Sequence, residues 1–256
     1  MEPAISLSLL SLLFFVAMGA GVVDSIAGGG GMITIPVLLS IGLSPAQALA
    51  TNKLQAVGGS FSASFYFISR KMVNLQAMKV PIAMAFLGSI AGTLLVQNMD
   101  ASLLNYVIPW MLIAIALYFL FSPSRKGEKG NAKISLLMFS LTAVFSIGFY
   151  DGFMGAGTGS LYAMAFTGLM GYTLPEATAH TKVLNCTSNI ASLLFFILGG
   201  HTVWAVGFIM LAGELVGARM GAKLVFNRGA KIIRPLIIII SLVMAAKLLW
   251  QGYMGV

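Results

Sequence analysis

Four consecutive glycines, Gly28, Gly29, Gly30 and Gly31, cut an apolar stretch that runs from residue 4 to residue 42. Glycine is among the poorest helix formers, and four in a row stop a helix in any solvent. The cut recurs as Gly155-Ala156-Gly157-Thr158-Gly159, inside a second apolar stretch over 132–171. An acid precedes each break, Asp24 or Asp151. An apolar arm follows, ending at Gly42 or Gly171, and then comes a lysine, Lys53 or Lys182. The two acids are 127 residues apart and the two lysines 129, and Gly88 and Gly92 return as Gly213 and Gly217. One half of the chain repeats the other.

A chain with 9% charged and 59% hydrophobic residues, at a mean hydropathy of +0.96, is an integral membrane protein. Soluble domains are about a quarter charged. Crossing a hydrocarbon core of about 30 Å takes about 20 apolar helical residues. Runs of that size lie near 46–69, 77–97, 102–122, 176–198, 202–226 and 232–250. The stretches 4–42 and 132–171 are too long for one crossing, and each is cut by its glycines. Irregular backbone is tolerated at membrane depth only where protein buries it or it lines a watery cavity. Each therefore reads as a glycine-broken helical hairpin, re-entrant or discontinuous, followed by about three transmembrane helices.

The net charge of +8 does not imply nucleic acid. Twelve of the 15 Lys and Arg fall in groups around Arg70, Arg125 and Arg228, at breaks between apolar runs. They lack the interleaved aromatic residues of a single-strand binder, and cytoplasmic retention of positive loops accounts for them. Asp100, the Gly199-Gly200 turn and both termini then face outward. The first half starts outside and ends inside, and the second does the reverse. That parity predicts an all-α polytopic fold of two inverted-topology repeats related by an axis in the membrane plane. The expected parts are 1–122, a cytoplasmic hinge over 123–131, and 132–256, together one membrane domain. Cys186 is the sole cysteine, so no internal disulfide forms. The N-terminus has no basic n-region, so the first apolar run is expected to be a retained helix.

A helix broken inside the bilayer presents backbone N–H groups and a positive dipole end, which attract anions. Inverted-repeat transporters bind substrate near the midplane in this way; a plain tight turn is the alternative. Lys53 and Lys182 each lie about seven residues into an apolar helix, about 10 Å along its axis. A charge at that depth is costly and points to function. Asn52 and Gln55 flank the first lysine; His180, Thr181 and Asn185 flank the second. With Gly28 to Gly31, Gly155, Gly157 and Thr158, these donors suit a small oxyanion. Alternatively each lysine pairs with the acid of its own half, Lys53 with Asp24 and Lys182 with Asp151. Both readings hold if the acid releases its lysine when substrate enters. Asp24 and Asp151 are then candidate proton acceptors, with protons the candidate coupling ion.

Other features point elsewhere. Glu214 has Ser89 as its repeat partner and is expected to pair with Arg219 or to end a helix. The Gly-x-x-x-Gly pairs are packing surfaces. Gly155 to Ser160 lacks the Gly-Lys-Ser/Thr ending of a phosphate loop. No nucleophile–base pair, metal-ligand cluster or paired carboxylates suggest catalysis, a metal or a cofactor.

The run Asp24-Ser-Ile-Ala-Gly-Gly-Gly-Gly, then Ala50-Thr-Asn-Lys-Leu-Gln, Gly148-Phe-Tyr-Asp-Gly-Phe and Thr178-Ala-His-Thr-Lys resembles the TauE/SafE family of membrane transporters, most nearly its YfcA branch. The resemblance covers about Phe14 to Trp250. It implies a carrier of small anions in the bacterial inner membrane, chiefly sulfite, sulfonates and related organosulfur compounds, usually exporters. The family pattern falls on Gly28 to Gly31, Asn52, Lys53, Gly155, Gly157 and Lys182. The second break departs from it by not being pure glycine. The expected protein is thus a secondary anion transporter working by alternating access. Its partners are a small anionic substrate and the bilayer, with self-association left open. A passive anion channel and a non-transporting membrane scaffold are the rival readings.

Overall fold

The computed structural model describes residues 6–121, 130–225 and 250, and every regular element among them is helical. The first half holds α1 (Leu7–Ala27), α2 (Gly31–Ser40), α3 (Pro45–Ser69), α4 (Lys79–Gln97) and α5 (Ala101–Phe121). The second holds α6 (Leu136–Phe139), a π turn (Ser140–Val144), α7 (Phe145–Phe153), α8 (Thr158–Leu169), α9 (Leu174–Leu198) and α10 (Trp204–Val225). Five helical stretches among these residues are long and apolar enough to cross a membrane. Nearly all of the expected span over 232–250, most of the hinge and the C-terminus lie outside the described residues, as do Arg125, Lys126, Lys129, Arg228, Lys231 and Arg234.

Local chemistry repeats with the sequence. α3 and α9 are both 25 residues long. Each opens on a capping box, Ser44 with Gln47 and Thr173 with Glu176, in which side chain and backbone satisfy each other's orphan groups. Each carries a proline in its first turn, where no N–H is missed. Gly42 and Gly171, ahead of these helices, both adopt positive φ (92° and 68°), as do Gly28 and Gly155 at the breaks (66° and 81°). The arms after the breaks are short: α2 has 10 residues and α8 has 12. At 1.5 Å per residue they reach only about 15 and 18 Å, roughly half the apolar thickness.

One difference was not foreseen. α1 is a continuous helix, whereas its counterpart opens into a π turn between α6 and α7. Ser140 Oγ donates to the Leu136 carbonyl and Thr142 Oγ1 to that of Met138. Such back-bonding competes with the regular ladder.

The helices cross at glycine. α10 lies on α1, where a Cβ at Gly217 would stand 1.9 Å from the Met18 carbonyl oxygen and one at Gly213 2.3 Å from that of Phe14. α4 lies on α7, where a Cβ at Gly92 would stand 2.0 Å from the Phe149 oxygen and one at Gly88 2.3 Å from that of Phe145. A later helix of each half, α10 or α4, thus packs against the first arm of the other half, α1 or α7. Between them α3 and α9 pack together, α3 also touching α10 and α9 also touching α4. Three apolar clusters surround this centre, around Ile35, Leu104 and Phe196, around Tyr162 and Phe166, and around Leu13, Leu38 and Met210. Gly217→Ala is expected to cost about 1–3 kcal/mol through overpacking. Gly19→Ala, inside α1 with nothing within 4 Å of its Cβ, should be neutral to stabilising by up to about 1 kcal/mol; thermal unfolding of the purified variants reads the difference.

Candidate functional site

α3 and α9 bury an unusual number of polar side chains at the centre of the bundle. Thr51, Asn52, Lys53 and Gln55 on one, and Thr181, Lys182, Asn185, Ser188 and Asn189 on the other, are all buried. Removing such groups from water is tolerated only when partners are provided. Lys53 Nζ donates to Asp151 Oδ1 at 2.7 Å and to Asn189 Oδ1 at 3.0 Å. Asp151 also accepts from Thr158 Oγ1 at 3.1 Å and, through Oδ2, from Ser188 Oγ. Both members of this ion pair are 1% exposed. Lys182 Nζ donates to Asp24 Oδ2 at 3.1 Å and to the Asp24 carbonyl at 2.8 Å.

The pairing within each half is therefore corrected: each lysine holds the acid of the other half. The reason is visible in the helix partners. Because α1 leans on α10 and α7 on α4, the acid at the end of each first arm is delivered beside the opposite lysine. The glycine breaks meet at this crossing. A Cβ at Gly28 would lie 2.5 Å from the Gly159 Cα, and one at Gly31 3.5 Å from the Ala156 Cα. Gly155 leaves the space through which Lys53 reaches its acid, since a Cβ there would stand 2.7 Å from Nζ.

The remaining expected residues divide. Gly29 and Gly30 are buried between α1 and α2, and Gly157 caps α8 with φ of 78°. Asn52 accepts from Thr34 Oγ1 at 2.6 Å and has its amide nitrogen beside Gly31. Asn185 accepts from Asn189 Nδ2 at 2.6 Å, with its own nitrogen beside Gly159. Thr181 Oγ1 is buried with no hydrogen-bond partner among the described residues. Gln55 turns away from both ion pairs and donates to Glu214 Oε2 at 2.9 Å. His180 bonds to the Glu176 carbonyl and packs on Phe166 and Tyr172, so its contacts are with an aromatic cluster and not with either lysine. Among the described residues no group of three His, Cys, Asp or Glu is gathered for a metal.

Sequence reasoning missed Glu214, Ser188 and Asn189. Asn189 had a signal: Lys182, Asn185 and Asn189 recur at helical spacing and share a face. Glu214 was expected to pair with Arg219 or to end a helix, but it lies inside α10, 1% exposed and facing α3, while Arg219 is exposed. Its carboxylate occupies the space over Gly59, where a Cβ would meet Oε1 at 2.9 Å. No spacing rule in a single sequence links Gly59 to Glu214.

Comparison with known proteins finds relatives that match nearly the whole chain. The model of the family described as "Sulfite exporter TauE/SafE" matches residues 13–248. The chain is 56% identical over 245 residues to the probable membrane transporter protein YfcA of Escherichia coli K12, covering 96% of this chain and 91% of that one. It is 48% identical over 250 residues to a probable membrane transporter protein of Haemophilus influenzae, covering 97% and 98%. It is 21% identical over 270 residues to the probable membrane transporter protein YunE of Bacillus subtilis, covering 95% and 99%. No solved structure matches.

Proposed function

The chain belongs to the sulfite exporter TauE/SafE family, and from that premise we propose that it is a secondary transporter of a small anion. The substrate class is sulfite-like or organosulfonate, the membrane is the bacterial inner membrane with both termini periplasmic, and the direction is export by alternating access. One observation carries this reading: two glycine breaks in backbone contact, with a buried lysine held across each by the acid of the other half. The exchanged helix partners and swapped ion pairs are what a two-fold axis relating inverted halves would generate, and they support that topology. The short arms α2 and α8 suit half-crossings whose N-termini open on the middle of the bilayer.

The pairs are not equivalent. Lys53 is tied to two oxygens, and its acid is saturated by Thr158 and Ser188. Lys182 also donates to two oxygens, but among the described residues both belong to Asp24, whose side chain is 18% exposed. Lys182 is therefore the amine that an entering anion takes over, with Asn185, Asn52, Thr181 and the glycine N–H groups completing its shell. Asp24 is released as the anion binds. Rigid movement of one half against the other then turns the site from one side to the other.

Lys182→Met should reduce sulfite or methanesulfonate counterflow in proteoliposomes by about 10- to 100-fold, the value of one charge-assisted hydrogen bond. The same anions should raise the unfolding temperature of the purified native protein by mass action. Undiminished counterflow in the variant would remove Lys182 from the site. Conductance steps in a planar bilayer would replace the carrier by a channel.

A further inference from the structure

Five ionisable side chains gather in the centre: the acids Asp24, Asp151 and Glu214, and the amines Lys53 and Lys182. With all ionised, the acids exceed the amines by one. Lys53 is committed to Asp151, so the imbalance falls on Asp24, Lys182 and Glu214. A buried charge without a counter-ion is expensive, and in practice the group gives it up by taking a proton.

The surroundings of Glu214 are built for that exchange. Of the elements packed on α10, α1 contributes the charge of Asp24, and α3 contributes Gln55 and the gap over Gly59. Lys182 of α9 acts from farther off, Lys53 of α3 is occupied, and Arg219 on α10 itself is exposed. The only hydrogen-bond donor to the Glu214 carboxylate among these is the Gln55 amide, Nε2 to Oε2. That leaves Gln55 Oε1, on a residue 1% exposed, buried with no donor among the described residues. A carboxylate has no proton to offer it, whereas a carboxylic acid does. Protonation of Glu214 supplies the missing donor and closes the two side chains into a doubly bonded acid–amide pair. The orphaned amide oxygen, independent of the acids themselves, marks where the proton goes.

We propose that Glu214 is a proton-binding site whose occupancy is linked to anion binding at Lys182, so that one proton travels with the substrate. The inference rests on the transport reading above and adds its coupling residue. The step is a simple protonation: a solvated proton binds the carboxylate and leaves its water behind, the acid–amide bond forms, and the local charge rises by one. An anion beside Lys182 then no longer meets an excess negative charge. By reciprocity the bound anion holds the proton more tightly. Gly59 makes room for the acid, and the matching position in the other half, Ser188, bonds Asp151 instead. The proton site thus belongs to one half alone.

Difference infrared spectroscopy of the full protein in lipid vesicles tests this. The native protein should show the carbonyl band of a protonated carboxylic acid that titrates with pH and is absent from Glu214→Gln. That variant keeps an amide pair with Gln55 and so should fold. Saturating methanesulfonate or sulfite should move the titration midpoint alkaline by about one unit, a tenfold rise in proton affinity. Absence of the band, its persistence in Glu214→Gln, or a midpoint that neither anion moves overturns the proposal. Counterflow without the band would leave the transport reading standing and remove Glu214 from it. A midpoint moved by the anion in vesicles without counterflow would keep the linked site and remove the transport.

Discussion

Replacing Lys53 by methionine is expected to unfold the protein in detergent at temperatures where the native chain is intact. The substitution leaves Asp151 1% exposed with only two hydroxyl donors, Thr158 and Ser188. Breaking a buried pair on one side costs about 3–5 kcal/mol. Total stabilities run to about 5–15 kcal/mol, so the loss is a large fraction of what holds the fold. Removing the acid as well, in Lys53→Met with Asp151→Asn, takes away the stranded charge and should recover most of the loss. Lys182→Met strands the better-hydrated Asp24 and should cost less. Thermal unfolding of the four proteins, read by monodispersity after heating, ranks them. A Lys53→Met protein as stable as the native one would show that the pair is no strut.

Alanine at Gly28 has the second large effect, and its two causes can be separated. Its Cβ would stand 2.5 Å from the Gly159 Cα and 2.9 Å from the following carbonyl carbon, where the atoms in the way are backbone. The position also has φ of 66°, which costs a residue with a Cβ about 1–2 kcal/mol. Overpacking adds about 1–3 kcal/mol. Gly42→Ala has φ of 92° and nothing within 4 Å, so it bears only the conformational part. Gly159→Ala, whose Cβ would stand 2.7 Å from the Gly28 Cα, bears only the steric part. The expected order of destabilisation is Gly28 first with the other two well behind, checked in the same unfolding assay. Equal losses at Gly28 and Gly42 would mean that the breaks do not press on each other.

The sequence displayed what depends on composition, spacing and repetition. The long helices ended close to where their apolar runs end, as with 77–97 against Lys79–Gln97 and 176–198 against Leu174–Leu198. The glycine breaks, the acids and the buried lysines stood out because each appears twice. Who pairs with whom did not, because repetition gives both halves the same parts and is silent on whether a part is used at home or exchanged. Geometry decides that, through the packing of α1 on α10 and α7 on α4. Glu214 escaped for the opposite reason: it occurs once, opposite Gly59, and asymmetry leaves no internal echo. His180 stood at the right position in sequence, yet two residues before Lys182 on a helix is roughly the opposite face.

The exchange of partners has a consequence for how the chain is made. Lys53 leaves the ribosome 98 residues ahead of Asp151, and Asp24 precedes Lys182 by 158. At about 5–20 residues per second, the first interval lasts roughly 5–20 s. Throughout that time the newborn first half is in the bilayer with an ammonium group whose final counter-ion has not been synthesised. Insertion and tertiary closure are thus separate events here, and chains arrested before residue 151 should leave Lys53 open to amine-reactive probes that cannot touch it in the finished protein.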